Sequence, residues 1–440
     1  MMKRRHFLKA SGGAALLGIS SGLADAVETK PVSPSNVDGI ESEENWMEGF
    51  PPNPDQIIQF NDGSYARFPQ IRWSLCHIEE LVPTRSVWRG SEPVSQLDTS
   101  DKDVFSLSIH TLDGRTMQLE EALKHCFTDG FLVLHKGKIA SERYFLHCTP
   151  NTRHVIQSAS KSFVGTLAEQ LSVEGVLDKK RVVSHYLPEL KQAAWKDARV
   201  VDVMDMLVGM QFDEDYRRPD SEVYRYLMAM GMLPHPPGVK AFRSVYQYLP
   251  NIPKEGKHNK AFAYREPNIS VLGWLLRRVS GMSLADLVSE RIWQPLGMER
   301  DAYFMVDGWG AEGTLSMTLR DFARFGKLIL SRGQLNGRQI FSPEAIENCF
   351  KGGCVDKFAA GMNGKVSPSF QSYKSQWWVR HLEGRNALQA RGAYGQSLYI
   401  DPQAEIVIAR FGSAKTSPSA DLDHIVTPMH DAIVKALSAP

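Results

Sequence analysis

Ser158 and Lys161, with Ala159 and Ser160 between them, have the types and spacing that nucleophilic catalysis needs. On a helix, residues three apart share a face, so a serine in the first turn and a lysine one turn on point into the same space. A serine hydroxyl is a poor nucleophile until a neighbour takes its proton. A lysine can do so only if burial or nearby positive charge lowers its pKa. A phenol can share the work, and Tyr264, in the run Phe262 to Asn268, stands just before an apolar helical stretch starting at Ile269. Ala390-Arg391-Gly392-Ala393-Tyr394-Gly395-Gln396 supplies a third element. Gly392 lets a substrate lie close to the backbone, and the N–H groups of Ala393 and Ser158 are positioned to act as an oxyanion hole. Ser-x-x-Lys alone is weak, since about one or two such tetrapeptides arise by chance in a chain this long. Only together do the three elements point to acyl transfer.

These side chains need a scaffold. Phe163, Val164, Leu167, Ala168 and Leu171 recur at helical spacing, predicting a buried helix over Lys161 to Glu174 whose N-terminal end opens into a cleft. Met117 to Cys126 also reads as a helix. Phe131 to His135 and Ile139 to Phe145 read as a hairpin around Lys136-Gly137-Lys138. Ser397 to Ile400 and Ile406 to Phe411 form a second hairpin, and helices follow the first at Val201 to Leu207, Ile269 to Val279, Leu284 to Ile292 and Leu319 to Leu330. Thr318 with Asp321 resembles a capping box, and Asp421 to Leu437 is an amphipathic helix. Strand pairs at both ends of a chain with a helical middle predict an α+β fold: an antiparallel sheet built from the two ends of the chain, flanked by helices, with a mostly helical second lobe. The cleft between lobes is the expected ligand pocket.

Residues 1–26 read as a twin-arginine signal. Lys3-Arg4-Arg5-His6-Phe7-Leu8-Lys9 precedes a weakly apolar stretch too short to span a bilayer, and Ala24-Asp25-Ala26 offers a cleavage site. The expected partner there is the twin-arginine export machinery, and the expected compartment periplasmic or extracellular. Lys3, Arg4, Arg5, Lys9 and Asp25 carry a net +3, so their removal takes the chain from +1 to about −2. That balance points to neither nucleic acid nor an anionic membrane, and no other window is apolar enough to span one. Residues 27–103, rich in Pro, Asn and Ser with aromatic islands, predict an extension wrapped on a main domain over 104–440. The five cysteines, Cys76, Cys126, Cys148, Cys349 and Cys354, lack zinc-site spacing and read mainly as buried small groups, an odd count leaving at least one thiol free. No metal or organic cofactor is expected. Trp377-Trp378 is expected to pack beneath the strand rather than line the cleft.

The three motifs, in this order, resemble the serine-reactive β-lactamase and penicillin-binding-protein superfamily over roughly residues 104–436. Gly313 to Gly326 and the runs Gly175 to Asp178 and Tyr186 to Leu190 strengthen the likeness. Within the superfamily the chain looks most like the branch holding class C β-lactamases, esterases and the 6-aminohexanoate-dimer hydrolase group. Phe212-Asp213-Glu214-Asp215-Tyr216 with Pro219 and Ser221 is similar to that last group. The resemblance implies Ser158 as nucleophile, Lys161 as its base partner, Tyr264 as the proton-shuttling phenol and Tyr216 as a loop tyrosine contacting a substrate amide. It also implies an acyl-enzyme route to hydrolysis of a small-molecule ester or amide. Two departures narrow this. Ala390 stands where β-lactamases and peptidases place Lys or His, and Arg391 follows it, which weakens a β-lactamase or D-Ala-D-Ala peptidase reading. Glu266 stands two positions after Tyr264, where its charge is expected to disfavour anionic acyl groups. The alternative from another class is a non-catalytic protein that binds a cell-wall fragment or a partner.

Overall fold

A computed structural model describes residues 45–438, apart from 101, 217, 237, 239, 240 and 366. The leader read over residues 1–26 lies outside the described residues, as does the start of the extension. Among the described residues, seven strands form the main antiparallel sheet, in the spatial order Ser372–Lys374, Trp377–Leu382, Arg385–Gly392, Gln396–Asp401, Ile406–Gly412, Thr128–His135 and Lys138–Tyr144. The register Val407↔Leu134, Ile408↔Val133, Ala409↔Leu132 joins the late hairpin to the early one.

Period-2 alternation explains why this sheet is buried on both faces. Leu132, Leu134, Leu398, Ile400, Val407 and Ala409 face the core containing the helix Ser160–Val173. Phe131, Val133, Tyr399, Ile406 and Ile408 face the opposite layer, made by Leu119–His125 and Asp423–Leu437. The predicted helix at 117 therefore starts later. Met117 belongs to a short strand, Thr116–Gln118, that pairs Ile109↔Met117. The helix expected over Leu284 to Ile292 is α-helical only for Leu284–Val288 and continues as a wider π turn, Ser289–Trp293. The stretch from Val201 is helical over Val200–Met204, and Met206 takes a positive φ of 55° just beyond it. At Thr318 the side chain accepts from the Asp321 N–H as expected, while the Asp321 carboxylate accepts from the backbone N–H groups of Glu299 and Arg300 and pairs with Arg324.

The region before 104 is more than a wrapping. Its strand Thr84–Val87 is an edge of a second sheet, pairing antiparallel with Ala302–Val306, beside Glu312–Met317 and His154–Val155. Its helix Ile71–His77 packs Ile71 and Leu75, with Ile78, against Val155, Tyr303 and Met305. Among the cysteines, Cys76, Cys126, Cys148 and Cys349 are buried and Cys354 is exposed, all as free thiols. A hydrogen bond with Cys148, then burial, pushes the Cys76 thiol well above the usual range.

The serine helix is pressed against the sheet at Gly165. A Cβ there would lie 2.1 Å from the Ser375 carbonyl oxygen, which belongs to the turn leading into Trp377–Leu382. Backbone on both sides leaves little room to yield, so Gly165→Ala is expected to destabilise the fold by about 1–3 kcal/mol, the usual cost of overpacking. Urea denaturation of the variant beside wild type measures it, and an unchanged midpoint would show that the helix can shift freely.

Candidate active site

Ser158 sits on a 3₁₀ turn, Gln157–Ala159, just before the helix Ser160–Val173. Gln157 has φ 49°, a left-handed conformation that a non-glycine residue adopts only when its surroundings impose it. Two hydroxyls do so. Ser160 Oγ donates to the Gln157 carbonyl at 2.6 Å and Thr314 Oγ1 donates to it at 3.1 Å, while the Leu315 N–H donates to Ser160 Oγ at 2.9 Å. The turn is thereby bolted to the strand Glu312–Met317. Neither Ser160 nor Thr314 was singled out by sequence, because a hydroxyl that orients a backbone carbonyl carries no motif of its own.

Lys161 Nζ donates to Ser158 Oγ at 2.8 Å and to both carboxylate oxygens of Glu266 at 2.8 Å. Ser158 Oγ in turn donates to Glu266 Oε1 at 3.1 Å. The pair is dry, with side-chain exposures of 5% for Lys161 and 9% for Glu266. Burial of Lys161 is as expected, but its charged neighbour is an anion rather than a cation. The expectation for Glu266 changes accordingly: its carboxylate is committed to Lys161 and Ser158, not held free in the cleft to sort substrates by charge.

Tyr264 shares the cavity wall with Ser158 and Glu266, and burial first, then the Glu266 charge, pushes its phenol well above the usual range. It therefore rests as a neutral phenol rather than a tyrosinate. Its ring stacks on Trp378 at 5.5 Å between centroids, with Lys161 Nζ 5.3 Å from its own centroid. Consecutive strand residues face opposite ways, which separates the two tryptophans. Trp377 is fully buried and donates to Thr166 Oγ1, as packing predicts, whereas Trp378 borders the cavity.

Glu214 is a group that sequence reasoning passed over. The Glu266 N–H donates to its carboxylate at 3.0 Å and Tyr216 Oη donates to it at 3.0 Å. Enclosure of the carboxyl, then the nearby Glu266 charge, pushes Glu214 up to about 8. The signal available in sequence was the acidic cluster Asp213-Glu214-Asp215 beside Tyr216. Tyr216 itself lines the cavity, and its phenol is pushed well up by burial and by the Glu266 and Glu214 charges.

The third element closes the site from the sheet side. A Cβ at Gly392 would lie 2.3 Å from the Ile156 carbonyl oxygen and 3.1 Å from the Ala159 nitrogen, so only glycine lets the strand end approach the serine turn this closely. Ala393 follows on the cavity wall, and Tyr394 takes φ 62° directly after it. Ala390 is buried in the core with Ala159 and Phe163, and Arg391 turns the other way to pair with Asp423 at 2.6 Å and lie over the Phe370 ring. Arg391 is thus held by the Asp423 carboxylate of the C-terminal helix while it still borders the cavity.

Ser158, Lys161, Tyr216, Tyr264, Glu266, Gly392 and Ala393 open onto one cavity of about 920 Å³ lined largely by apolar side chains. Leu227, Met228 and Ile269 come from the helical region, Tyr65, Ile71 and Leu75 from the extension. Tyr65 Oη donates to the Met232 carbonyl, tying extension to helical region at the rim. Among the described residues no cluster of His, Cys, Asp or Glu is arranged to hold a metal ion.

A serine at a helix start, hydrogen-bonded to a buried lysine one turn on, a tyrosine on the same cavity wall and a glycine strand end make the arrangement of a serine acyl-transfer site. The Beta-lactamase family pattern matches residues 118–426, and the chain belongs to that family. It is 32% identical over 358 residues to the 6-aminohexanoate-dimer hydrolase of Paenarthrobacter ureafaciens, covering 80% of this chain and 87% of that protein. A solved structure titled putative 6-aminohexanoate-dimer hydrolase from Bacillus anthracis superposes with a TM-score of 0.79 at 29% identity, over 88% of this chain and 98% of the other. The teichoic acid D-alanine hydrolase of Staphylococcus aureus is 25% identical over 271 residues, 53% of this chain and 60% of that protein. The chain is a serine hydrolase of the β-lactamase-related kind, similar to 6-aminohexanoate-dimer hydrolase.

Two outcomes follow from the charges. Lys161→Met leaves the Glu266 carboxylate buried and unpaired, at a cost of about 3–5 kcal/mol, and adding Glu266→Gln recovers most of that loss. Urea denaturation of the two single variants and the double measures it, and simple additivity would contradict the coupling. For Glu214, a folded value near 8 against an ordinary 4.5 means that the native state holds a proton the unfolded chain releases between those limits. Its contribution is therefore full below about 4.5 and is lost as pH rises to about 8. Wild type should fall in melting temperature relative to Glu214→Gln across that window, and parallel curves would show that Glu214 titrates normally.

Proposed function

We propose that this hydrolase acts on small linear amides or esters whose acyl portion is extended and mostly apolar, with 6-aminohexanoate-type amides in its range, and that it does so outside the cytoplasm. The observation that carries the reading is the Ser158–Lys161–Glu266–Tyr264 cluster on the wall of a cavity of about 920 Å³ whose other walls are mainly Met, Leu, Ile and Tyr side chains. A space of that size encloses a drug-sized molecule with room to spare. The two relatives named for 6-aminohexanoate-dimer hydrolysis support the amide side of the reading. Tyr216, held by Glu214 at the cavity wall, is suited to contact a substrate amide. Ala390, in the core, offers no cation at the position where other family members place Lys or His, and Arg391 on the cavity wall is already paired with Asp423, which counts against a β-lactam carboxylate. Export rests on Lys3 to Lys9 and Ala24 to Ala26, with the twin-arginine machinery as partner.

The test is turnover of p-nitrophenyl butyrate, 6-aminohexanoate dimer and a penicillin by protein recovered from the periplasm, with intact mass spectrometry and a Ser158→Ala control. A chain starting at Val27, Ser158-dependent turnover of the ester and the linear amide, and no stable penicillin adduct are expected. A stable penicillin adduct on Ser158, with the linear amide untouched, would move the substrate to the β-lactam branch.

A further inference from the structure

Resting on the serine-hydrolase reading, we infer that Glu266 is the group that takes the Ser158 proton, and that Lys161 serves as a fixed cation beside it. The hydrogen-bond inventory points this way. An ammonium has three donors and no acceptor, and Lys161 Nζ has three acceptors at 2.8 Å: Ser158 Oγ, Glu266 Oε1 and Glu266 Oε2. With Nζ donating to Ser158 Oγ, the serine proton must point elsewhere, and the acceptor it meets is Glu266 Oε1 at 3.1 Å. That distance is within the reach required of a general base. The alternative, a neutral lysine accepting the proton, has only two donors for the two carboxylate oxygens and still leaves a carboxylate at hydrogen-bonding distance from the reacting oxygen.

The surroundings of Glu266 fit the role. Facing it are Lys161 on the serine helix, Tyr264 on the adjoining loop, Glu214 and Tyr216 on the acidic loop, and Tyr226, whose hydroxyl meets the Glu266 carbonyl at 3.4 Å. The three phenols are held neutral by burial and by the Glu266 charge. Burial of its carboxyl, then the neighbouring Glu266, pushes Glu214 up to about 8, so it holds its proton at neutral pH.

In acylation the Ser158 O–H bond breaks, its proton passes to Glu266 Oε1, and Oγ bonds to the substrate carbonyl carbon as the π pair moves onto oxygen. Collapse restores the carbonyl and breaks the bond to the leaving amine or alkoxide, which takes the proton from Glu266. In deacylation water gives a proton to Glu266 as its oxygen bonds to the acyl carbon. Ser158 Oγ then departs and recovers that proton. The carboxylate ends each cycle as it began.

The experiment measures the rate of Ser158 labelling by an alkyl fluorophosphonate between pH 5 and 9, followed by intact mass, for wild type, Ser158→Ala, Glu266→Gln and Glu266→Asp. Glu266→Gln keeps an oxygen for Lys161 but cannot accept a proton. Labelling is expected to slow by about 10²- to 10⁴-fold at every pH. Glu266→Asp draws the carboxylate back by about one bond, ~1.5 Å, and should slow labelling by at least about tenfold but less than Glu266→Gln does. Labelling of Glu266→Gln within about threefold of wild type, or slowed no more than Glu266→Asp, would take the proton away from Glu266 and overturn the inference. Should Glu266→Gln fail to fold, as judged by near-ultraviolet circular dichroism, an unchanged rate in Glu266→Asp overturns it equally. Wild type that takes no label, or label that persists in Ser158→Ala, would reject the serine-hydrolase reading and the inference with it.

Discussion

The buried pair between Lys161 and Glu266, with Ser158 Oγ touching both, is the constraint to which the rest of the site is fitted. Removing two full charges from water is unfavourable unless they meet each other in good geometry with their remaining valences filled. The fold meets that condition from three directions. The helix Ser160–Val173 brings the lysine, the segment before Pro267–Ser280 brings the carboxylate, and the acidic loop supplies Glu214 beneath it. The serine helix is anchored by its close approach at Gly165 and the serine turn by the hydroxyls of Ser160 and Thr314.

Strain at the site follows from the same need. Gln157 and Tyr394, with φ of 49° and 62°, bracket the two backbone segments that meet at Gly392. Conformations of this kind persist where the surroundings overdetermine them. Here they let a turn and a strand end approach within a distance that no side chain on Gly392 would permit. Trp378 and Tyr373 pack against the Tyr264 ring and Phe370 packs against Trp378, so the phenol is held in place on the cavity wall.

Much of this was legible in sequence because it rests on periodicity and on short motifs. The alternation in Phe131 to His135 and Ile406 to Phe411, and the helical repeat from Phe163 to Leu171, led to the right layers. Ser158, Lys161, Tyr264, Tyr216, Gly392 and Ala393 all border the same cavity. What escaped was pairing across the chain. That Glu266 faces Lys161, 105 residues away, depends on how two helices pack, and no spacing rule encodes it. The same holds for Glu214 under Glu266, for Arg391 held by Asp423, and for Thr84–Val87 completing a sheet with a strand more than two hundred residues later.

The cavity has walls of two kinds. Ser158, Lys161, Tyr264 and Glu266 belong to the Beta-lactamase region, whereas Tyr65, Ile71 and Leu75 come from chain that precedes the family match at 118. Part of the cavity wall is therefore written in a stretch of sequence separate from the serine cluster. Changes in that stretch can reshape one wall of the cavity without altering the buried cluster, which gives this architecture a way to vary what it holds while the cluster stays fixed.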